Sequence, residues 1–155
     1  MTVSIPGFPL MPSASQTSPP DQGYNCIAWA ACDQERFWWP RPEDEYYWPL
    51  EVRAETREAF VDAFETLGYE VFTYLSESWD PKEWEVVAFL QRDEEVRHAA
   101  RQLPSGRWTS KLGNGMDIDH NIQEITLGYG GIGWMMRRRR AGFIPKPTTI
   151  LTMDR

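Results

Sequence analysis

The sequence predicts an α+β domain, an N-terminal cysteine-bearing helix packed on a mostly antiparallel sheet. Two observations predict the class. Two helix-compatible segments, one apolar all round and one amphipathic, come first. A series of short β-rich runs separated by turn signals follows. The 155 residues, 41% of them hydrophobic, suit one domain rather than two.

Residues 1–21 hold Pro6, Pro9, Pro12, Pro19 and Pro20 among serines and threonines. No helical or strand period survives there, so the stretch reads as an extended arm. The domain proper spans 22–141, and 142–155, with Pro145 and Pro147, reads as a tail. Asn25 is a good N-cap for Cys26-Ile27-Ala28-Trp29-Ala30-Ala31, a helix apolar enough on all sides to be buried. Phe37 to Pro42 is a proline-punctuated aromatic loop that Tyr46, Tyr47, Trp48 and Pro49 continue. Most of its rings are expected to cap the core, and one or two to line a cleft. Thr56 to Leu67 is the clearest helix, with Ala59, Phe60, Ala63, Phe64 and Leu67 on one stripe and Gly68 as its stop.

Strand-like runs follow at Tyr69–Tyr74 and Glu85–Leu90. Val96–Leu103 and Arg107–Leu112 flank Pro104-Ser105-Gly106, a hairpin signal. A three-residue turn there puts His98 on a face with Trp108, Ser110 and Leu112. A two-residue turn puts it with Thr109 and Lys111, and the sequence leaves this register open. Beyond Met116-Asp117-Ile118-Asp119-His120, the segment rich in Gly128, Gly130, Gly131 and Gly133 reads as irregular or a short strand.

A net charge of −7 makes nucleic-acid binding a poor expectation. Arg137 to Arg140 is too local to reverse that; it solvates an end, pairs internally or meets a partner. No stretch approaches the roughly 20 apolar residues of a membrane span, and the N-terminus shows no secretory signal. A cytoplasmic setting is therefore expected, with no membrane partner. Cys26 and Cys32, if on one helix, lie about 9 Å apart along its axis, too far for a disulfide, and fit a reducing compartment.

Three features bear chemistry. Cys26 opens a helix, whose partial positive charge and free N–H groups favour a thiolate and can hold an oxyanion. His98, distant in sequence, supplies an imidazole. Ser110, Asn114, Asp117, Asp119 and His120 offer groups to orient its ring. A metal site built from His98, His120, Asp117, Asp119 and Cys26 lacks any tight ligand spacing, so neither metal nor cofactor is expected. The glycines at 128–133 have no phosphate-loop spacing.

Cysteine at a helix start, then histidine at a strand start, then an orienting group is the papain-like order. The segments Gln22-Gly23-Tyr24-Asn25-Cys26-Ile27-Ala28-Trp29-Ala30, His98-Ala99-Ala100 and Gly106-Arg107-Trp108-Thr109-Ser110-Lys111-Leu112-Gly113 resemble the compact bacterial papain-like hydrolases, the NlpC-type and CHAP-type amidases. With Asp117-Ile118-Asp119-His120 and Tyr129-Gly130, the pattern also resembles an uncharacterised bacterial family over residues 22 to 137. The resemblance implies a papain-like fold with Cys26 as nucleophile, His98 as base and Gln22 or Asn25 near the oxyanion. The third member usually lies a little over a dozen residues after the histidine, which here falls on Ser110 to Asn114. Asp117 is preferred because a carboxylate best stabilises an imidazolium; His120 and Ser110 stay open.

Two functions follow. One is a thiol-dependent hydrolase or acyl-transferase acting on an amide or isopeptide bond. Cys26 attacks the carbonyl, His98 shuttles the proton, and a thioester passes to water or an amine. The other is a non-catalytic protein-binding module of adaptor or immunity type on the same fold, with an inert Cys26. Its interface would be the aromatic loop, the proline-rich arms and the arginine run. Both require a protein or peptide as substrate or partner.

Overall fold

The computed structural model describes residues 8–43, 45–112 and 115–142. In chain order the elements are β1 (Ser15–Ser18), α1 (Cys26–Ala30), α2 (Arg57–Glu65), β2 (Glu70–Phe72), β3 (Trp84–Arg92), β4 (Glu95–Gln102), β5 (Trp108–Lys111), β6 (Asp117–His120), α3 (Ile122–Tyr129) and β7 (Gly131–Arg139). The strands form one seven-stranded sheet in the order β1-β6-β5-β4-β3-β7-β2. Every pairing in it is antiparallel.

This overturns the expected papain-like α+β architecture. The molecule is β-rich, and its helices are five, nine and eight residues long. The cysteine-bearing helix is little more than one turn. Asn25 starts it by accepting a hydrogen bond from the Ala28 N–H at 3.2 Å. It ends after Ala30, and Cys32 adopts a left-handed backbone, φ 65°, which stops propagation. Two features of the C-terminal third went unforeseen. Asn121 caps α3 through the Glu124 N–H at 2.9 Å, and β7 is one of the two longest strands. Gly130 joins them at φ 111°, where a Cβ would meet the Gln91 carbonyl oxygen at 2.1 Å. The stretch read as an arm supplies β1, whose Ser15 and Gln16 pair with Asp119 and Ile118. Most of the expected tail lies outside the described residues.

β3 anchors the sheet because Val86-Val87-Ala88-Phe89-Leu90 is buried on both faces. Side-chain alternation sorts the core into two layers. On one face Val87, Phe89, Ala99, Trp134 and Met136 pack beneath α1 and α2 with Ile27, Phe60 and Phe64. Phe89 stacks on Trp134 with ring centres 4.5 Å apart and meets Phe64 edge-on at 5.0 Å. On the other face lie Val86, Ala88, Ala100, Trp108 and Met135. Leu90 and Ile118 continue that layer, packed on Ile125 of α3 and on Met11. In the aromatic loop Trp38 and Trp48 are buried in the core, Trp39 and Tyr47 pack against it half-buried, and Tyr46 is exposed.

Arg101 pairs with Thr109 and Gln102 with Trp108. This is the register of the three-residue turn, and it puts His98 on the face of Trp108, Ser110 and Leu112. The arginine run pairs internally: Arg137 with Glu70 and Glu77, Arg138 and Arg140 with Glu85, and Arg139 with Glu83. Among the described residues no helix is long and apolar enough to cross a membrane.

Candidate functional site

The sheet divides the residues singled out from the sequence. Ala99 packs in the layer that holds Cys26. His98, its neighbour on β4, therefore points through to the α3 face. There its ring stacks on Tyr129 with centres 4.1 Å apart and planes 5° from parallel. Asp117 alternates with Ile118 of the α3 layer and so faces the α1 side. Asp117 thus faces the α1 side and His98, Ser110 and His120 the other, while the sulfur of Cys26 lies against the Ala99 N–H beside β4.

On the α3 face a buried hydrogen-bond chain runs through the two histidines. The Asn121 carbonyl only accepts, so Nδ1–H of His120 donates to it at 2.6 Å. That leaves His120 Nε2 to accept from the Ser110 hydroxyl at 2.7 Å. Ser110 Oγ in turn accepts from Nε2–H of His98 at 2.8 Å. The chain ends on Nδ1 of His98, a buried acceptor with no hydrogen-bond partner. All three residues are fully buried. Burial, with His120 close by, pushes His98 down to about 3, and burial also lowers His120. Both rings are neutral near pH 7.

On the α1 face Cys26 is buried at the first position of its helix. The N–H groups of Ala99, Ile27 and Cys26 itself face the sulfur, and Lys111 adds a nearby positive charge. All four favour a thiolate. Desolvation outweighs them and pushes the thiol up to about 11, the reverse of what a helix start alone predicts. Asn25 is fully engaged: besides capping α1, it accepts from the Trp38 N–H at 3.0 Å and donates to the Trp38 carbonyl at 2.8 Å. Gln22 lies exposed ahead of the helix.

Asp117, 1% exposed, accepts from the Tyr24 hydroxyl at 2.7 Å and from the Ser18 hydroxyl, both through Oδ2. Its Oδ1 is buried without a hydrogen-bond partner. Across the β5–β6 ladder Asp117 is opposite Lys111. The Lys111 ammonium donates to the Asp21 carbonyl at 2.5 Å and lies 4.8 Å from the Tyr24 ring centre. Sequence reasoning passed over Lys111 and Tyr24. The signal for Lys111 was a lysine between Ser110 and Leu112 in a strand that the hairpin buries.

Asp117 forms part of the wall of an open groove of about 580 Å³ beside α1, with Tyr24, Trp29, Arg101, Thr109 and Asp119. The Trp29 indole N–H donates to Thr109 Oγ1 at 3.0 Å.

Fold and groove define a β-rich module: one antiparallel sheet, a polar groove on one face and a sealed histidine pair on the other. Residues 15–137 match the family described as Domain of unknown function (DUF7689), and the chain belongs to that family. No curated protein and no solved structure matches it.

Proposed function

We propose that this chain is a non-catalytic protein-binding module of adaptor or immunity type. One observation carries the proposal: no hydrogen bond joins the Cys26 sulfur to either nitrogen of His98. A thiol hydrolase or acyl-transferase needs sulfur and imidazole in contact, so that the base can take the thiol proton. Here no hydrogen bond joins them, since His98 Nε2 meets Ser110 and Nδ1 has no hydrogen-bond partner, and burial favours the uncharged form of each. Asp117, the residue preferred for orienting the imidazole, lies on the opposite face of the sheet from the His98 ring. The groove beside α1 supplies a surface for a peptide partner instead. A cytoplasmic setting is part of the same proposal, supported by two free cysteines.

Alkylation of the native protein against pH, read at Cys26 and Cys32 by peptide mass, tests it. Cys26 is expected to react more slowly than exposed Cys32, to titrate near 11, and to be unaffected by His98→Gln. Fast labelling of Cys26 near pH 6 that disappears in His98→Gln overturns the proposal.

A further inference from the structure

We propose that residues 8–18 form a releasable strap: they leave the sheet as one unit while β3 to β7 stay folded, and so gate access to the buried histidine chain. This goes beyond the binding-module proposal and does not depend on it.

The strap is held by groups far along the chain. The Phe8 ring sits in a notch on α3 that exists because residue 128 is glycine; a Cβ there would meet Phe8 Cζ at 1.9 Å. From this seat Phe8 packs on Tyr129 with ring centres 5.2 Å apart, and Tyr129 is the ring stacked on His98. Met11 and Ala14, 1% and 2% exposed, close over Leu90, Ile118 and Ile125. The Ser13 N–H donates to the Glu124 carboxylate at 3.0 Å, and its hydroxyl donates to the same carboxylate. The Ser13 carbonyl accepts from Arg107 at 2.6 Å. Arg107 and Glu124 are also charges that act on His120. The strap is thus keyed to both histidines, through Tyr129 to His98 and through Arg107 and Glu124 to His120.

It is also the part of the sheet that costs least to open. β1 is an edge strand of four residues, mostly exposed, and it pairs with β6 through three Cα partners with a break in register between Gln16 and Ser18. Pro19 and Pro20 follow, and neither has an N–H to lengthen the ladder. By contrast β3 is paired on both flanks and buried from Glu85 to Leu90. Opening free energy follows buried apolar contact and ladder length, so the strap lets go first. What it leaves behind keeps its own support. β6 remains paired with β5 over four residues, and Ile125 of α3 remains packed on Leu90. Release makes β6 the edge of the sheet. It also takes Thr17 and Ser18 out of the wall of the groove beside α1.

Hydrogen exchange of the full chain, followed amide by amide, tests the strap, with Gly128→Ala and Phe8→Ala as variants. In the unaltered chain the Ser13 amide and the β1 amides bonded to β6 are expected to exchange about a hundredfold or more faster than those of β3, through one opening that urea hardly promotes. Alanine is the better helix former, so any loss in Gly128→Ala comes from the collision with Phe8. That variant is expected to speed the strap amides by about tenfold or more and to leave β3 as it was. Phe8→Ala is expected to do the same without touching α3. The double variant is expected to be no worse than the more severe single one, because the added methyl then has no ring to meet. Modification of His98 and His120 by diethyl pyrocarbonate, read by peptide mass, is expected to rise in step in both variants. Strap amides that exchange no faster than β3, or a Ser13 amide that Gly128→Ala leaves alone while the β1 amides speed up, overturn the unit. Histidines that stay unmodified while the strap amides open overturn the gate.

Discussion

The two faces of the sheet treat polar side chains in opposite ways. On the α1 face, Asp117, Tyr24 and Thr109 line an open groove, and one Asp117 carboxylate oxygen is buried without a hydrogen-bond partner. On the α3 face, His98, Ser110 and His120 satisfy one another in sequence and are sealed beneath Tyr129. The same ladder supplies both sets: β5 sends Thr109 and Lys111 one way and Trp108 and Ser110 the other. Residue types alone suggest one catalytic centre. Strand parity makes them a groove and a strut, so proximity along a sheet is no guide to reaction geometry until the face is known.

The largest effect is expected in the layer between the two faces. Phe89 is fully buried, stacked on Trp134 and edge-on to Phe64. Phe89→Ala is expected to cost about 3–5 kcal/mol in urea unfolding and to disturb both faces together. Next comes the strut. Ser110→Ala removes the hydroxyl between the imidazoles and leaves buried ring nitrogens unpaired, at an expected cost of about 1–3 kcal/mol. The groove should not feel it, so the Trp29 indole resonance is expected to stay where it is; a large movement there would join the two faces that the sheet keeps apart.

Acid sharpens the contrast further. Burial holds His98 at about 3 in the folded chain, against about 6.5 when unfolded. Between those values the unfolded chain binds a proton that the folded chain refuses. Stability is therefore full above about pH 6.5 and falls as the pH drops towards 3, by about 1.4 kcal/mol per pH unit from this group. His98→Gln is expected to flatten the slope of unfolding free energy between pH 6 and 4 by up to that amount. An unchanged slope would mean that His98 is not held neutral.

What the sequence disclosed was local. Thr56, the apolar stripe and Gly68 announce α2, and Gly68 does take a left-handed backbone at φ 91°. Pro104-Ser105-Gly106 announces the β4–β5 turn. β1 escaped because Ser-Gln-Thr-Ser is a short, exposed edge whose partner β6 lies far along the chain. β7 reads from the sequence as no more than a short strand because its glycines look like loop material. One of them, Gly133, lies under the Gln91 side chain, whose Oε1 a Cβ there would meet at 2.2 Å and push aside. Cys26, His98 and Asp117 were legible as reactive types, but the division of His98 from Asp117 depended on a one-residue parity that no local signal fixes.

The sheet order also sets a timetable for synthesis. Its two edge strands, β1 and β2, come first in the chain, and both pair with strands made last, β6 and β7. The run from β3 to β6 is a meander that zips up locally as it emerges. The early segment, with α1 and the aromatic loop, must wait for a surface to settle on. A ribosome stalled before Gly131 would present β3 with one flank bare and β2 with no strand to join. Such a nascent chain is sticky, and completing the final strand β7 closes that gap.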